Sequence, residues 1–269
     1  MSLPARSRVN PNRPISNYQP APGRRWLRLI CLVLMVWFGA TGATGQDESS
    51  WEFWPETDIW FRLSPAWRLS MFLPISQNIE TKYREGNLIL QADYAWGKSK
   101  HVLMRRMVDE NRVRMMRRFL IRGGYLSGKS LGDQGETYNE DMALLEFHLR
   151  TPFKGRVLVS HRLRSEARWL GDDHEFSTRF RYRLMIERDF EVGGTSIVPY
   201  VNVEPYYDSR YKTVNRVRLI GGATVTRWRF FALEVNITYQ HDSRSSVTDL
   251  YALNVILHLY FETARARKD

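Results

Sequence analysis

From residue 47 onward, apolar and polar side chains alternate one by one along most of the chain. In "EFSTRFRYRLMIERDF", Phe176, Phe180, Tyr182, Leu184 and Ile186 occupy even positions, and Arg179, Arg181, Arg183 and Glu187 occupy odd ones. Side chains of a strand point to opposite faces with a period of two. The segment is therefore a strand with one oily and one cationic face.

The same rhythm recurs throughout. Phe53, Ile59 and Phe61 oppose Glu56, Asp58 and Arg62, and Leu88, Leu90 and Tyr94 oppose Asn87, Gln91 and Asp93. Ala143, Leu145, Phe147 and Leu149 oppose Glu146, His148 and Arg150, and Val157, Val159, Leu163 and Trp169 oppose Arg162, Arg164, Glu166 and Arg168. Val201, Val203 and Tyr207 oppose Asn202, Glu204, Tyr206 and Asp208, and Leu233, Val235, Ile237 and Tyr239 oppose Glu234, Asn236, Thr238 and Gln240. Turn-like stretches such as "LSPA", "REGN", "TPFKG", "LGDDH" and "EVGGTS" separate about eleven such segments, the pattern of an antiparallel meander. Only "HVLMRRMVDENRVRMMRRF" reads otherwise, as a charged loop or short helix.

A soluble sandwich buries its oily face and wets its polar one; a membrane barrel turns oil outward to lipid and polar groups inward. Strands of roughly 9–11 residues suit a tilted bilayer crossing. Trp51, Trp54, Trp60, Trp67, Trp96, Trp169 and Trp228 lie towards strand ends, where interfacial girdles form. An open sheet edge in hydrocarbon leaves backbone groups unsatisfied, so the sheet must close. The expectation is all-β: an antiparallel up-and-down transmembrane β-barrel, even-numbered, of about 12 strands, with ten as the alternative.

The net charge of +11 would fit nucleic-acid binding, but much of it lies outside the strands, in Arg6–Arg28, in Lys98–Arg118 and in Arg265–Lys268. No nucleic-acid partner is expected. The sole cysteine is Cys31, so the strand region has neither a disulfide framework nor a thiol nucleophile. "GRRWLRLICLVLMVWFGATGATGQ" has the basic, apolar and small-residue parts of a secretory signal. Ala43 and Gly45 fit the positions before cleavage, which is placed after Gly45. Residues 1–45 are then a polar extension and signal peptide, and residues 46–269 are the barrel domain with a short basic tail. The expected location is the bacterial outer membrane.

The blocks "EFWPETDIWFRL", "RFRYRLMIERDF", "PYVNVEPYYDSRY" and "DSRSSVTDLYALNVILHLYF" together resemble the bacterial family called domain of unknown function 2490. The resemblance implies an outer-membrane β-barrel and carries over no catalytic residue. "NVILHLYF" also resembles the C-terminal signature of outer-membrane barrels, which implies the barrel-assembly machinery as a partner, through Tyr260 and Phe261.

Candidate chemistry is sparse. The polar parity puts Arg162, Arg164, Arg168, Arg179, Arg181, Arg183, Glu187, Glu204, Asp208 and Glu234 along the expected lumen, where they can pair with one another. A cationic lining favours anions in a pore, so the function expected is structural or a narrow, anion-leaning pore, with outer-membrane lipid and a small anionic solute as partners. The alternative is a lipid hydrolase or deacylase. In "HDSRSS", His241 and Ser243 share a face and resemble the His-x-Ser pair of outer-membrane lipases, but the sequence shows no acidic group to orient the histidine. Glu204 and Asp208 read as ion-pair partners before they read as a cation site. The six histidines have no ligand spacing, and no metal or cofactor is expected.

Overall fold

In a computed structural model of the chain, residues 49–98, 117–132, 138–228 and 230–263 are described. The expected signal peptide, the charged segment from His101 to Met116 and most of the basic tail lie outside the described residues. Twelve strands appear among those described: β1 (Ser49–Arg62), β2 (Trp67–Asn78), β3 (Arg84–Lys98), β4 (Arg117–Ser130), β5 (Asn139–Phe153), β6 (Val157–Leu170), β7 (Glu175–Arg188), β8 (Phe190–Val192), β9 (Thr195–Asp208), β10 (Thr213–Thr226), β11 (Phe231–Asp242) and β12 (Asp249–Glu262).

Neighbouring strands pair antiparallel around a single sheet, and β1 closes it against β12. The total agrees with the expected number of strands, but the ring itself has eleven members. β8 is a short continuation of β7 beyond Asp189, pairing with β9 alongside β7. An odd ring cannot alternate direction all the way round, so its closing pair is parallel, running in register from Ser49↔Asp249 to Arg62↔Glu262. The even count taken from bacterial barrels thus does not hold for the ring, and the seam departs from a purely antiparallel plan.

Alternation along each strand becomes inside and outside. Leu145, Leu163, Phe180, Val201 and Ile237 are exposed on the outer wall, while Glu146, Arg162, Asn202, Glu204 and Asn236 are buried within. Oil outside and charge inside invert the plan of a soluble protein. The small inner apolar cluster of Leu126, Met142 and Leu144 does not alter that division.

Two tryptophans depart from the expected girdle. Trp60 is buried inside, and Trp54 is half-buried on the same inward parity, whereas Trp51, Trp67 and Trp228 are exposed. The reason is the pleat: positions 54 and 60 share the parity of Glu56 and Asp58. Pro205 interrupts the wall. Pairing between β7 and β9 passes from Arg181↔Tyr206 to Leu184↔Val203, because proline offers no amide to the ladder.

Candidate functional site: the charged interior of the ring

The inward groups form a belt of paired charges that alternates in sign from β2 to β5, after which β6 and β7 both present arginines, Arg162 opposite Arg183 and Arg164 opposite Arg181. It begins at Arg68 on β2, whose Nε donates to Asp93 of β3 at 2.8 Å. Asp93 also accepts from Arg122 of β4 at 2.6 Å, and Arg122 reaches Glu146 of β5 at 3.3 Å. Glu146 is a hub, with Arg162 at 3.4 Å, Arg164 at 3.2 Å and His148 at 2.8 Å. Arg162 pairs in turn with Glu204 of β9, which Arg181 of β7 meets at 3.0 Å. Glu166 accepts from Arg181 at 3.1 Å and from Arg179, and the Arg164 Nε lies 2.5 Å from it as an ion-pair partner. A buried carboxylate surrounded by guanidinium forks has its lone pairs satisfied and its charge balanced, the condition under which charges tolerate a dry interior.

All ten residues singled out in the sequence lie on this inward parity. Arg162, Arg168, Glu187, Glu204, Asp208 and Glu234 are buried, and Arg164, Arg179, Arg181 and Arg183 are partly so. Glu204 and Asp208 are ion-pair partners: Asp208 holds Arg210 at 2.8 Å and Arg168 at 3.4 Å. Glu234 belongs to a second group on the far side of the ring. There His258 lies 3.1 Å from both Glu234 and Asp58, and Glu234 also accepts from the Tyr200 hydroxyl. At the rim, just before β5, the Tyr138 hydroxyl donates to Glu140 at 2.9 Å. Burial, and then the Glu140 carboxylate, hold that phenol well above its ordinary range, so it remains a neutral donor.

Asp93, Glu146, Arg68 and Arg122 complete the belt, although no sequence motif marks them. Their parity was visible, but their ion pairs between arginine and carboxylate join positions 18 or more residues apart, as in Arg164–Glu146 and Arg68–Asp93. Tyr206 is the other hidden member. It is 1% exposed, and the guanidinium carbons of Arg181, Arg218, Arg179 and Arg216 lie 4.3, 5.5, 5.6 and 5.7 Å from its ring centroid.

A family model described as "Protein of unknown function (DUF2490)" matches residues 51–251. The chain belongs to this family. That span contains β2 to β11, nearly all of β1 and the start of β12, so the ion-paired belt from Arg68 to Glu204 lies within it. No curated protein and no solved structure matches the chain.

The pair His241 and Ser243 is placed at the rim, at the end of β11. His241 Nδ1 lies 2.9 Å from Asp249 of β12, supplying the acidic neighbour that the sequence did not show. The register explains the omission, since Asp249 sits directly across the hairpin from His241. Ser243 turns elsewhere: its hydroxyl donates to the Asn215 carbonyl at 3.2 Å. The acid and base of a triad are therefore adjacent, while the candidate nucleophile is engaged with β10. Among the described residues no group of histidine, cysteine and carboxylate side chains is arranged to hold a metal ion.

A cavity of about 460 Å³ opens on the outer wall, across the Pro205 interruption, with Leu145, Phe147, Leu163, Phe180, Tyr182 and Tyr207 in its lining. It is an apolar groove in the wall and not a channel along the axis.

Proposed function

We propose that this DUF2490 protein is an integral outer-membrane barrel whose ion-paired interior leaves at most a narrow passage leaning to anions. The observation that carries the reading is the inversion of the wall: exposed Leu163, Phe180 and Ile237 on a closed sheet, with Arg162, Glu204 and Glu146 buried behind it. In water such an outer surface would be an apolar patch far larger than a soluble monomer tolerates. In hydrocarbon it is the lowest-energy surface available, and closure satisfies the backbone. Wide aqueous channels belong to barrels of 16–18 strands, and this ring, lined by paired charges, fits a structural role or slow passage of small solutes. The export signal and the aromatic Tyr260 and Phe261 at the end of β12 support delivery through the barrel-assembly machinery.

Carbonate extraction of the envelope fraction tests the reading. The protein is expected to stay in the pellet and to shift its gel mobility on boiling, as closed barrels do. Release into the soluble fraction would instead indicate a periplasmic ligand-binding barrel.

The contact between His241 and Asp249 favours one second reading, a lipid hydrolase at the rim in which Asp249 orients His241 and Ser243 is the nucleophile. It requires Ser243 to leave the Asn215 carbonyl. Release of fatty acid from fluorescent phospholipid should then vanish in Ser243→Ala; equal release by that variant and the wild type removes this reading.

A further inference from the structure

Most inward arginines answer to carboxylates, but Arg218 is an exception. Its Nε and Nη2 donate to the amide oxygen of Gln240 at 3.2 and 2.6 Å, a neutral partner. Its guanidinium carbon also lies 5.1 Å from the ring centroid of Trp54 and 5.5 Å from that of Tyr206. Trp54 is on β1 and Arg218 on β10, with β11 and β12 between them in the ring. Three strand spacings amount to about 14 Å along the wall at roughly 4.8 Å each. The two side chains meet only because both reach inward, across the interior. One guanidinium held by two aromatic faces is a stable arrangement, since each ring presents a negative face to the cation.

The surroundings of this clasp lean cationic, although Glu204 faces Arg218 across the β9–β10 register and Glu52 accepts from the Trp54 indole at 2.5 Å. Arg181 and Arg179 share the Tyr206 ring with it, as does Arg216, which is paired with Asp242 at 2.6 Å. Arg218 and Arg216 are half-buried. A guanidinium hydrogen-bonded to an amide, opposite a carboxylate that Arg162 and Arg181 already hold, keeps charge to offer a compact anion.

We infer that Trp54, Tyr206 and Arg218 form the constriction of the barrel and that Arg218 is the group an anion meets there. The inference rests on the membrane reading above and gives its passage a place and a charge preference. The ligand class is a small anion, inorganic or carboxylate, recognised by its charge and by hydrogen bonds from a planar fork.

Planar-bilayer recording of the refolded full chain in a potassium chloride gradient tests it, with Trp54→Ala, Arg218→Gln and the conservative Trp54→Phe as variants. Heat-dependent gel mobility verifies that each variant has folded. Trp54→Ala should raise unit conductance roughly two-fold by widening the narrowest point. Arg218→Gln should move the reversal potential towards cation preference, and Trp54→Phe should behave as wild type. A silent wild type with a conducting Trp54→Ala would uphold the clasp as a closed constriction while ending the open-passage reading. The inference is overturned if wild type and Trp54→Ala are both silent, or if folded Trp54→Ala and Arg218→Gln match the wild type in conductance and reversal potential.

Discussion

Trp51 of β1 stacks on Tyr251 of β12 at a centroid distance of 5.0 Å, across a seam in which both strands run the same way. Phe61 and Phe261 repeat the contact at 5.2 Å towards the other rim. The parallel seam has a topological consequence. Ser49 and Glu262 must lie at opposite rims, because eleven alternating strands carry the chain across an odd number of times. Cys31 precedes the expected cleavage site, so single cysteines can be introduced into a mature chain without others. Ser49→Cys should react with a membrane-impermeant maleimide from one side of the membrane only, and Glu262→Cys from the other. Labelling of both from the same side would mean an even ring.

Glu146 joins three arginines and a histidine while being 1% exposed. Glu146→Gln removes the charge that balances them but keeps the shape. Breaking a buried pair in this way costs about 3–5 kcal/mol, because the opposite charges remain without compensation. Urea unfolding in liposomes, followed by tryptophan fluorescence, should show a lower midpoint of that size. An unchanged midpoint would mean that the belt contributes nothing to holding the ring.

The outer wall makes the opposite prediction about arginine. Leu163 is 57% exposed, near the middle of β6. Leu163→Arg should destabilise the protein by about 2–4 kcal/mol in a bilayer, the depth-dependent cost of a lipid-facing charge. In a soluble barrel the same exposed substitution would fall within about 0.5 kcal/mol of neutral. The unfolding midpoint in liposomes decides which environment bathes this face.

Two adjacent glycines on β10 should respond differently. A Cβ at Gly222 would stand 2.3 Å from the Asn236 Cβ and 2.6 Å from the Val235 carbonyl oxygen of β11, while one at Gly221 meets nothing within 4 Å. Gly222→Ala should therefore cost about 1–3 kcal/mol through overpacking of the strand pair. Gly221→Ala should be neutral or slightly stabilising, since alanine loses less backbone freedom on folding. Equal midpoints for the two variants would contradict the close approach of β10 and β11.

Much of the wall was legible in advance. Phe180, Tyr182 and Ile186 declare the outward face of β7, and Arg179, Arg181 and Arg183 its inward one, because the pleat leaves no third choice. The site was legible only by halves. Arg162 and Glu204 read as inward and charged, but their pairing joins positions 42 residues apart, and only the ring brings them together. Trp54 read as a girdle residue because tryptophans near strand ends commonly are. Its neighbours Glu52 and Glu56 share its parity, and that was the signal that it faces the interior. Asp249 was invisible as a partner of His241 until the β11–β12 register set them side by side.

The amino-acid sequence alone determined that this chain is a series of two-faced strands, and which face of each carries charge. Period-two alternation is local and owes nothing to distant residues. The closed structure decided the rest: eleven members in the ring, a parallel seam, the order of signs around the interior and the meeting of Arg218 with Trp54. Those depend on which strand lies beside which and how far each is shifted, and such pairing is a property of the whole sheet that no single segment encodes.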